Sequence, residues 1–261
     1  MPEAVSIALL YPELLGTYGD GGNAIVLAQR LRWRGIPAEV VDVTAGEPIP
    51  RGCQLYLMGG GEDAPQTLAA RELRSSSALA DAVAGGAGVL AVCAGLQVLG
   101  RRFAGDDNRV HEGLGLLDCE THRDGGPRRV GEVVVTPEPS LELTELTGYE
   151  NHGGVTTLGP AAQPLGKVVV GCGNDAGDGT EGIVNGRVIG TYLHGPVLAR
   201  NPALADHLLA SVLGPLEPIE EPEVDALRRE RLQAARRPHL PHLNAGWPRL
   251  GPGWRRRIQG G

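Results

Sequence analysis

The strongest constraint on this 261-residue chain is the alternation of two patterns over its first 105 residues. Short apolar runs are each followed by a glycine-rich turn and then by a helical pattern. Val5 to Leu10, Ala38 to Val43, Gln54 to Met58 and Gly88 to Val92 read as four buried strands. Helical runs lie between them, from Ala24 to Trp33 and from about Ala64 to Ala84, and another follows from Ala94 to about Arg102. Near-continuous apolar strands that alternate with helices predict a mostly parallel central sheet with helices on both faces, an α/β three-layer sandwich.

The second half changes character. Val130 to Thr136 and Lys167 to Gly171 read as strands, and Asn185-Gly186 reads as a type I′ hairpin turn leading into a strand from Val188 to Leu193. Asn201-Pro202 opens a helix to about Leu213. The expected division is a domain over residues 1–215 and a Pro/Arg-rich tail over 216–261, helical in part, with order lost after about Arg237. From Glu223 onward nine arginines face three acids, a net of +6, against −7 for the whole chain. The remaining body therefore carries −13, which argues against nucleic acid as the main partner. The tail, with Trp247 and Trp254, reads either as a solubilising segment or as a peripheral contact with an acidic membrane surface.

No run of about 18 apolar residues crosses a membrane, and Met1 to Tyr11 lacks the basic start of a secretory signal. The four cysteines, Cys53, Cys93, Cys119 and Cys172, form no C-x-x-C pair, so neither a metal site nor a disulfide framework is expected. Reduced thiols in a cytoplasm are the simplest reading. The single lysine, Lys167, lies outside any G-x-x-x-x-G-K-[ST] phosphate loop.

Cys93 carries the sharpest chemical signal. In Ala91-Val92-Cys93-Ala94-Gly95-Leu96-Gln97 a buried strand meets a helix with small residues around the cysteine. That is the pattern of a nucleophile elbow. The helix N-terminus favours the thiolate, and the N–H of Ala94 points toward a developing oxyanion. The plain alternative is a buried structural cysteine. His194, at the end of Gly190-Thr191-Tyr192-Leu193-His194, is the best base; His152, in Glu150-Asn151-His152-Gly153-Gly154, is its rival. His111, His122, His207, His239 and His242 read as solvent or loop residues. Gly59-Gly60-Gly61 after the third strand offers a second oxyanion donor, or a flexible turn.

Cys-x-Gly-x-Gln at Cys93 to Gln97 and Gly-Thr-Tyr-Leu-His-Gly-Pro at Gly190 to Pro196 resemble the class I glutamine amidotransferases, in their cobyric-acid-synthase-like branch. Tyr18 to Asn23, Met58 to Asp63 and Gly148 to Gly154 narrow the resemblance to the glutaminase subunits (GatD type) of lipid II isoglutaminyl synthases, over about residues 4–215. The resemblance implies hydrolysis of L-glutamine to glutamate and ammonia. It implies a MurT-like Mur ligase partner that uses ATP and Mg to activate the D-glutamate α-carboxyl of the lipid II stem peptide, in peptidoglycan biosynthesis. No cofactor is implied in this chain. By the same analogy Cys93 is the nucleophile, His194 its base, and Arg128 or its neighbour Arg129 holds the substrate glutamine. Gly60, Gly61, Ala94, Gln97 and Asn151 complete the expected substrate site, at the inner face of the plasma membrane. Many relatives place a glutamate two residues after the histidine; here that position is Pro196. The orienting carboxylate is therefore expected from the ligase partner, unless the site is a dyad. Competing readings are a glutaminase for a cobyrinate-type amidation, a non-catalytic scaffold subunit on the same fold, and a cysteine hydrolase of related fold.

Overall fold

A computed structural model describes residues 4–16, 19–105 and 109–236. The tail beyond Arg236, with Trp247 and Trp254, lies outside the described residues, as does Tyr18.

The first half runs β1 (Val5–Leu10), α1 (Gly22–Trp33), β2 (Ala38–Val43), β3 (Leu55–Met58), α2 (Asp63–Arg74), α3 (Ala78–Ala84), β4 (Gly88–Val92) and α4 (Ala94–Leu99). The expected long helix over 64–84 is two helices. Ser75-Ser76-Ser77 interrupts it, and serine hydroxyls compete for backbone partners: Ser75 Oγ donates to the Glu72 carbonyl at 2.6 Å. Helix α4 ends at Leu99 rather than Arg102, because β5 (Arg102–Ala104) begins there.

Seven short strands follow: β6 (Val110–Glu112), β7 (Cys119–His122), β8 (Arg129–Pro137), β9 (Leu146–His152), β10 (Val155–Leu158), β11 (Gly166–Val170) and β12 (Thr180–Glu181). The chain then returns to the central sheet through β13 (Ile183–Asn185) and β14 (Val188–Thr191), and ends in α5 (Val197–Arg200), α6 (Pro202–Leu213) and α7 (Pro222–Ala235). The hairpin predicted at Asn185-Gly186 forms with its turn one residue later. Asn185 pairs with Val188, so Gly186 and Arg187 make the loop, and Gly186 alone of the two has positive φ. That is the demand of a type II′ turn rather than type I′.

The central sheet has the order β13-β14-β4-β3-β1-β2. All neighbours are parallel except the β13–β14 hairpin. Its inner strands β4 and β3 are buried along their whole length, as a sheet covered on both faces requires. Two smaller sheets, β12-β11-β8-β9 and β10-β7-β5-β6, are built from residues 102–181. Among the described residues no helix is long and apolar enough to cross a membrane.

The consequence for the site lies in the strand order. The chain leaves β14, β4, β3 and β1, four adjacent strands, at the same carboxyl edge, where α/β folds gather their ligands.

Candidate active site

Cys93 sits between β4 and α4 with φ +52° and ψ −105°. A non-glycine residue held at positive φ stores strain, and such strain concentrates at functional turns. The turn is pinned on both sides: the Cys93 N–H donates to the Thr191 carbonyl of β14 at 2.8 Å, and the Gly95 N–H donates to Gly59 O at 3.2 Å. The approach of α4 to β3 requires Gly95, since a Cβ there would lie 2.9 Å from Met58 Cβ. The strand–turn–helix reading of Cys93 is therefore the geometry observed.

His194 lies just past β14. Its backbone is fixed to β9 through paired hydrogen bonds with Tyr149, at 2.9 and 3.1 Å. Its ring Nδ1 is 3.0 Å from Oδ2 of Asp20, and Cys93 lies near enough to influence its protonation. Burial alone would push the His194 pKa down. The interactions with Asp20 and Cys93 outweigh that and lift it from 6.5 to about 10. Cys93, His194 and Asp20 are all buried.

Asp20 of this chain meets the His194 ring in the place where an orienting carboxylate was expected from a partner. It stands in the turn after β1, on the carboxyl edge of the same sheet, and this chain supplies it. The signal was present in Asp20-Gly21-Gly22, an acid in a glycine turn after a strand. Its relation to a histidine 174 residues away depends on β1 lying two strands from β4, which sequence pattern does not reveal. Gly60 departs from its expected role. Its N–H donates to Asp20 Oδ2 at 2.9 Å, so it orients the acid instead of facing an oxyanion. Gly61 lines the cavity in front of Cys93, as does Ala94. Ala94 opens α4, where N–H groups have no intrahelical acceptor.

Gln97, one turn along α4, also lines this cavity. Its Nε2 donates to the Tyr192 hydroxyl at 3.0 Å, and its Oε1 accepts from Gln66 at 2.7 Å. Tyr192 continues to Thr156 and Thr121 through 2.7 Å contacts. This buried network fixes the cavity floor.

Arg128 reaches the cavity and Arg129 does not. Arg129 is turned inward and held between Asp124 and Asp175. Arg128 donates through Nε to Asn151 Oδ1 at 3.0 Å and through Nη2 to Asn151 O at 2.9 Å. Asn151 is absent from the cavity wall, so it positions Arg128 from behind instead of meeting a ligand. His152 does line the cavity. Its ring stacks on Tyr192 at 3.9 Å, its Nδ1 is 2.9 Å from Gly154 O, and its Nε2 is 3.8 Å from Glu150. Its contacts run to these neighbours, and His194 is the imidazole whose protonation Cys93 influences. His111 and His122 lie in strands and His207 in α6, not in loops. His239 and His242 are outside the described residues.

Burial raises the thiol pKa of Cys53 and raises that of Cys119 to about 12. A thiol so raised stays protonated near neutral pH.

The sequence profile of the CobB/CobQ-like glutamine amidotransferase domain matches residues 6–202. This chain belongs to the CobB/CobQ-like glutamine amidotransferase family. This family member is 37% identical over 221 residues to a Staphylococcus aureus protein named lipid II isoglutaminyl synthase (glutamine-hydrolyzing) subunit GatD, covering 81% of this chain and 88% of the relative. The Streptococcus pneumoniae protein of the same name is 34% identical over 214 residues, covering 81% and 82%. A solved structure described as a glutamine amidotransferase superposes with TM-score 0.55 at 21% identity, over 80% of this chain and 99% of its own, and shares the fold. In this family member, then, Cys93, His194 and Asp20 are brought together from one polypeptide.

Proposed function

We propose that this chain is the glutaminase subunit of a lipid II isoglutaminyl synthase. It hydrolyses L-glutamine and hands the ammonia to a MurT-like ligase subunit, which uses ATP and Mg to amidate the D-glutamate α-carboxyl of the lipid II stem peptide. The observation that carries the reading is the convergence of Cys93, His194 and Asp20 at one sheet edge, with Cys93 on the wall of a cavity that Arg128 also lines. The similarity to two GatD subunits, over about four-fifths of this chain and more than four-fifths of each relative, favours lipid II over a cobyrinate-type acceptor.

The chemistry follows from the geometry. Cys93 sulfur attacks the side-chain amide carbon of glutamine, and the carbonyl oxygen becomes an oxyanion that the N–H groups of Ala94 and Gly61 would hold. Protonated His194 donates its proton to the amide nitrogen as the C–N bond breaks and ammonia leaves. The neutral imidazole then takes a proton from water, which attacks the thioester carbon, releases glutamate and restores the thiol. Asp20 fixes the imidazole's tautomer and stabilises its charged form. The Arg128 guanidinium supplies a fork for the substrate α-carboxylate. Nucleotide chemistry belongs to the ligase, and the site of action is the cytoplasmic face of the membrane where lipid II is made.

The test is reconstitution with a MurT-like subunit, followed by mass spectrometry of lipid II after incubation with ATP and glutamine. The expected product is one amidated stem peptide per glutamate formed, lost in Cys93→Ala. Glutamine hydrolysis without lipid II amidation would sink the acceptor assignment; absence of glutamine hydrolysis would sink the glutaminase reading.

A further inference from the structure

Helix α7 lies against β8 and against the loop that follows His194. Between α7 and α5 there is a second cavity of about 210 Å3, away from Cys93, lined by Gly195, Arg200, Val224, Leu227, Arg228 and Arg231. Three guanidinium groups on one small cavity are unusual in a chain with net charge −7. Like charges crowded together cost free energy unless something neutralises them.

The arginines differ in how they are neutralised. Arg200 is paired with Glu132 at 2.7 Å. The Nη2 of Arg228 is buried from solvent and, among the described residues, has no hydrogen-bond partner. Asp225 and Glu145 influence it only through space, and burial depresses its pKa. Glu145 is engaged with Arg236. Arg231 is exposed beside Arg228, and a fork of N–H donors suits a planar or tetrahedral oxyanion.

We propose that this cavity is a binding site for a small oxyanion, with phosphate the best-matched chemistry, held by Arg228 and Arg231 with Arg200 at its edge. The same chemistry in a carboxylate presented by a bound protein would fill it in the same way. The site adjoins the catalytic loop. Arg200 lies against Gly195, the residue after His194, so closely that a Cβ on Gly195 would sit 2.6 Å from its Nε. An anion that draws Arg200 away from Glu132 therefore acts on the backbone next to the catalytic base.

Calorimetric titration of the full chain with inorganic phosphate at constant ionic strength tests this, with sodium acetate as a parallel arm. The expected result is one saturable site for phosphate, weakened about tenfold or more in Arg231→Ala. Arg231 is exposed, so that variant keeps its fold, checked by an unchanged melting curve; Arg228→Met gives the second reading. Saturable acetate binding without phosphate binding, lost in the same variants, keeps the oxyanion site and assigns it to a protein carboxylate. No saturable binding of either anion, or binding unchanged in both variants, overturns the proposal.

Discussion

Oδ2 of Asp20 accepts from two donors that the fold brings from different strands: His194 Nδ1 at 3.0 Å and the Gly60 N–H at 2.9 Å. The glycine loop after β3 thus aims the acid, the acid aims the imidazole, and the imidazole stands close to Cys93. Asp20→Asn should keep the fold and lower kcat for glutamine hydrolysis by about 10²–10⁴, with little change in KM. Steady-state assays of the isolated chain, with glutamate as the measured product, decide it. Wild-type kcat in the variant would show that Asp20 does not orient the base.

The same pair sets a pH dependence. The folded pKa of His194, about 10, lies above its ordinary 6.5. Its contribution to stability is therefore complete below pH 6.5 and is lost as pH rises toward 10. Asp20→Asn removes one of the groups that raise the pKa, so the fall in melting temperature between pH 7 and 10 should flatten. An NMR titration of the His194 ring should show its midpoint moving toward neutrality; a midpoint unchanged in the variant would refute the linkage.

Cys93 and His194 were legible because their signals are local: a buried strand, a tight turn, small residues and a helix, and a histidine closing a strand. The parallel sheet was legible for the same reason, since periodicity is a property of short windows. Asp20 was not, because its role depends on sheet order, and neither was the use of the Gly60 N–H. The division of labour between Arg128 and Arg129 also required three dimensions. Adjacent residues on a strand point to opposite faces, but only the packing of Asp124 and Asp175 shows which face is inward.

That division predicts two different phenotypes. Arg128→Ala should raise KM for glutamine about tenfold to a hundredfold, the effect of losing a charged hydrogen bond, and leave the melting temperature close to wild type. Arg129→Met should instead lower the melting temperature, since it leaves Asp124 and Asp175 facing each other without their cation, while KM changes little. Glutamine saturation curves and thermal melts of both variants separate the roles. The reverse pattern would exchange them.

Glu181 is fully buried under the strand that carries His194. Its Oε1 accepts from the Thr191 hydroxyl at 2.9 Å and from the Tyr192 N–H at 2.6 Å, and its Oε2 has no partner among the described residues. Burial, with Glu150 nearby, pushes its pKa up from 4.5 to about 7. A carboxyl whose folded pKa is raised stabilises fully below pH 4.5 and loses that contribution as pH rises through about 7. Glu181→Gln keeps the acceptor oxygen and cannot ionise. It should melt at a higher temperature than wild type at pH 8 and close to wild type at pH 5. Thermal melts across that range that run parallel for the two proteins would contradict it.

The cavity in front of Cys93 offers a point at which hydrolysis can be controlled. Its open space is about 20 Å3, room for about one water and too little for a glutamine side chain. Arg123 on the β7–β8 connection pairs with Asp63 at the start of α2, and both residues line the cavity. This ion pair joins the two walls, so glutamine entry requires the walls to part. The loop it holds contains Gly125-Gly126, with Gly125 at φ +73°, a backbone that can move without a Cβ penalty. Arg123→Ala should therefore speed alkylation of Cys93 by iodoacetamide severalfold in the isolated chain, where a surface ion pair is worth at most about 1 kcal/mol. Addition of the ligase subunit should raise the wild-type alkylation rate toward that of the variant. Equal rates in wild type and variant, read by peptide mass spectrometry at Cys93, would show that the Arg123–Asp63 contact does not govern access.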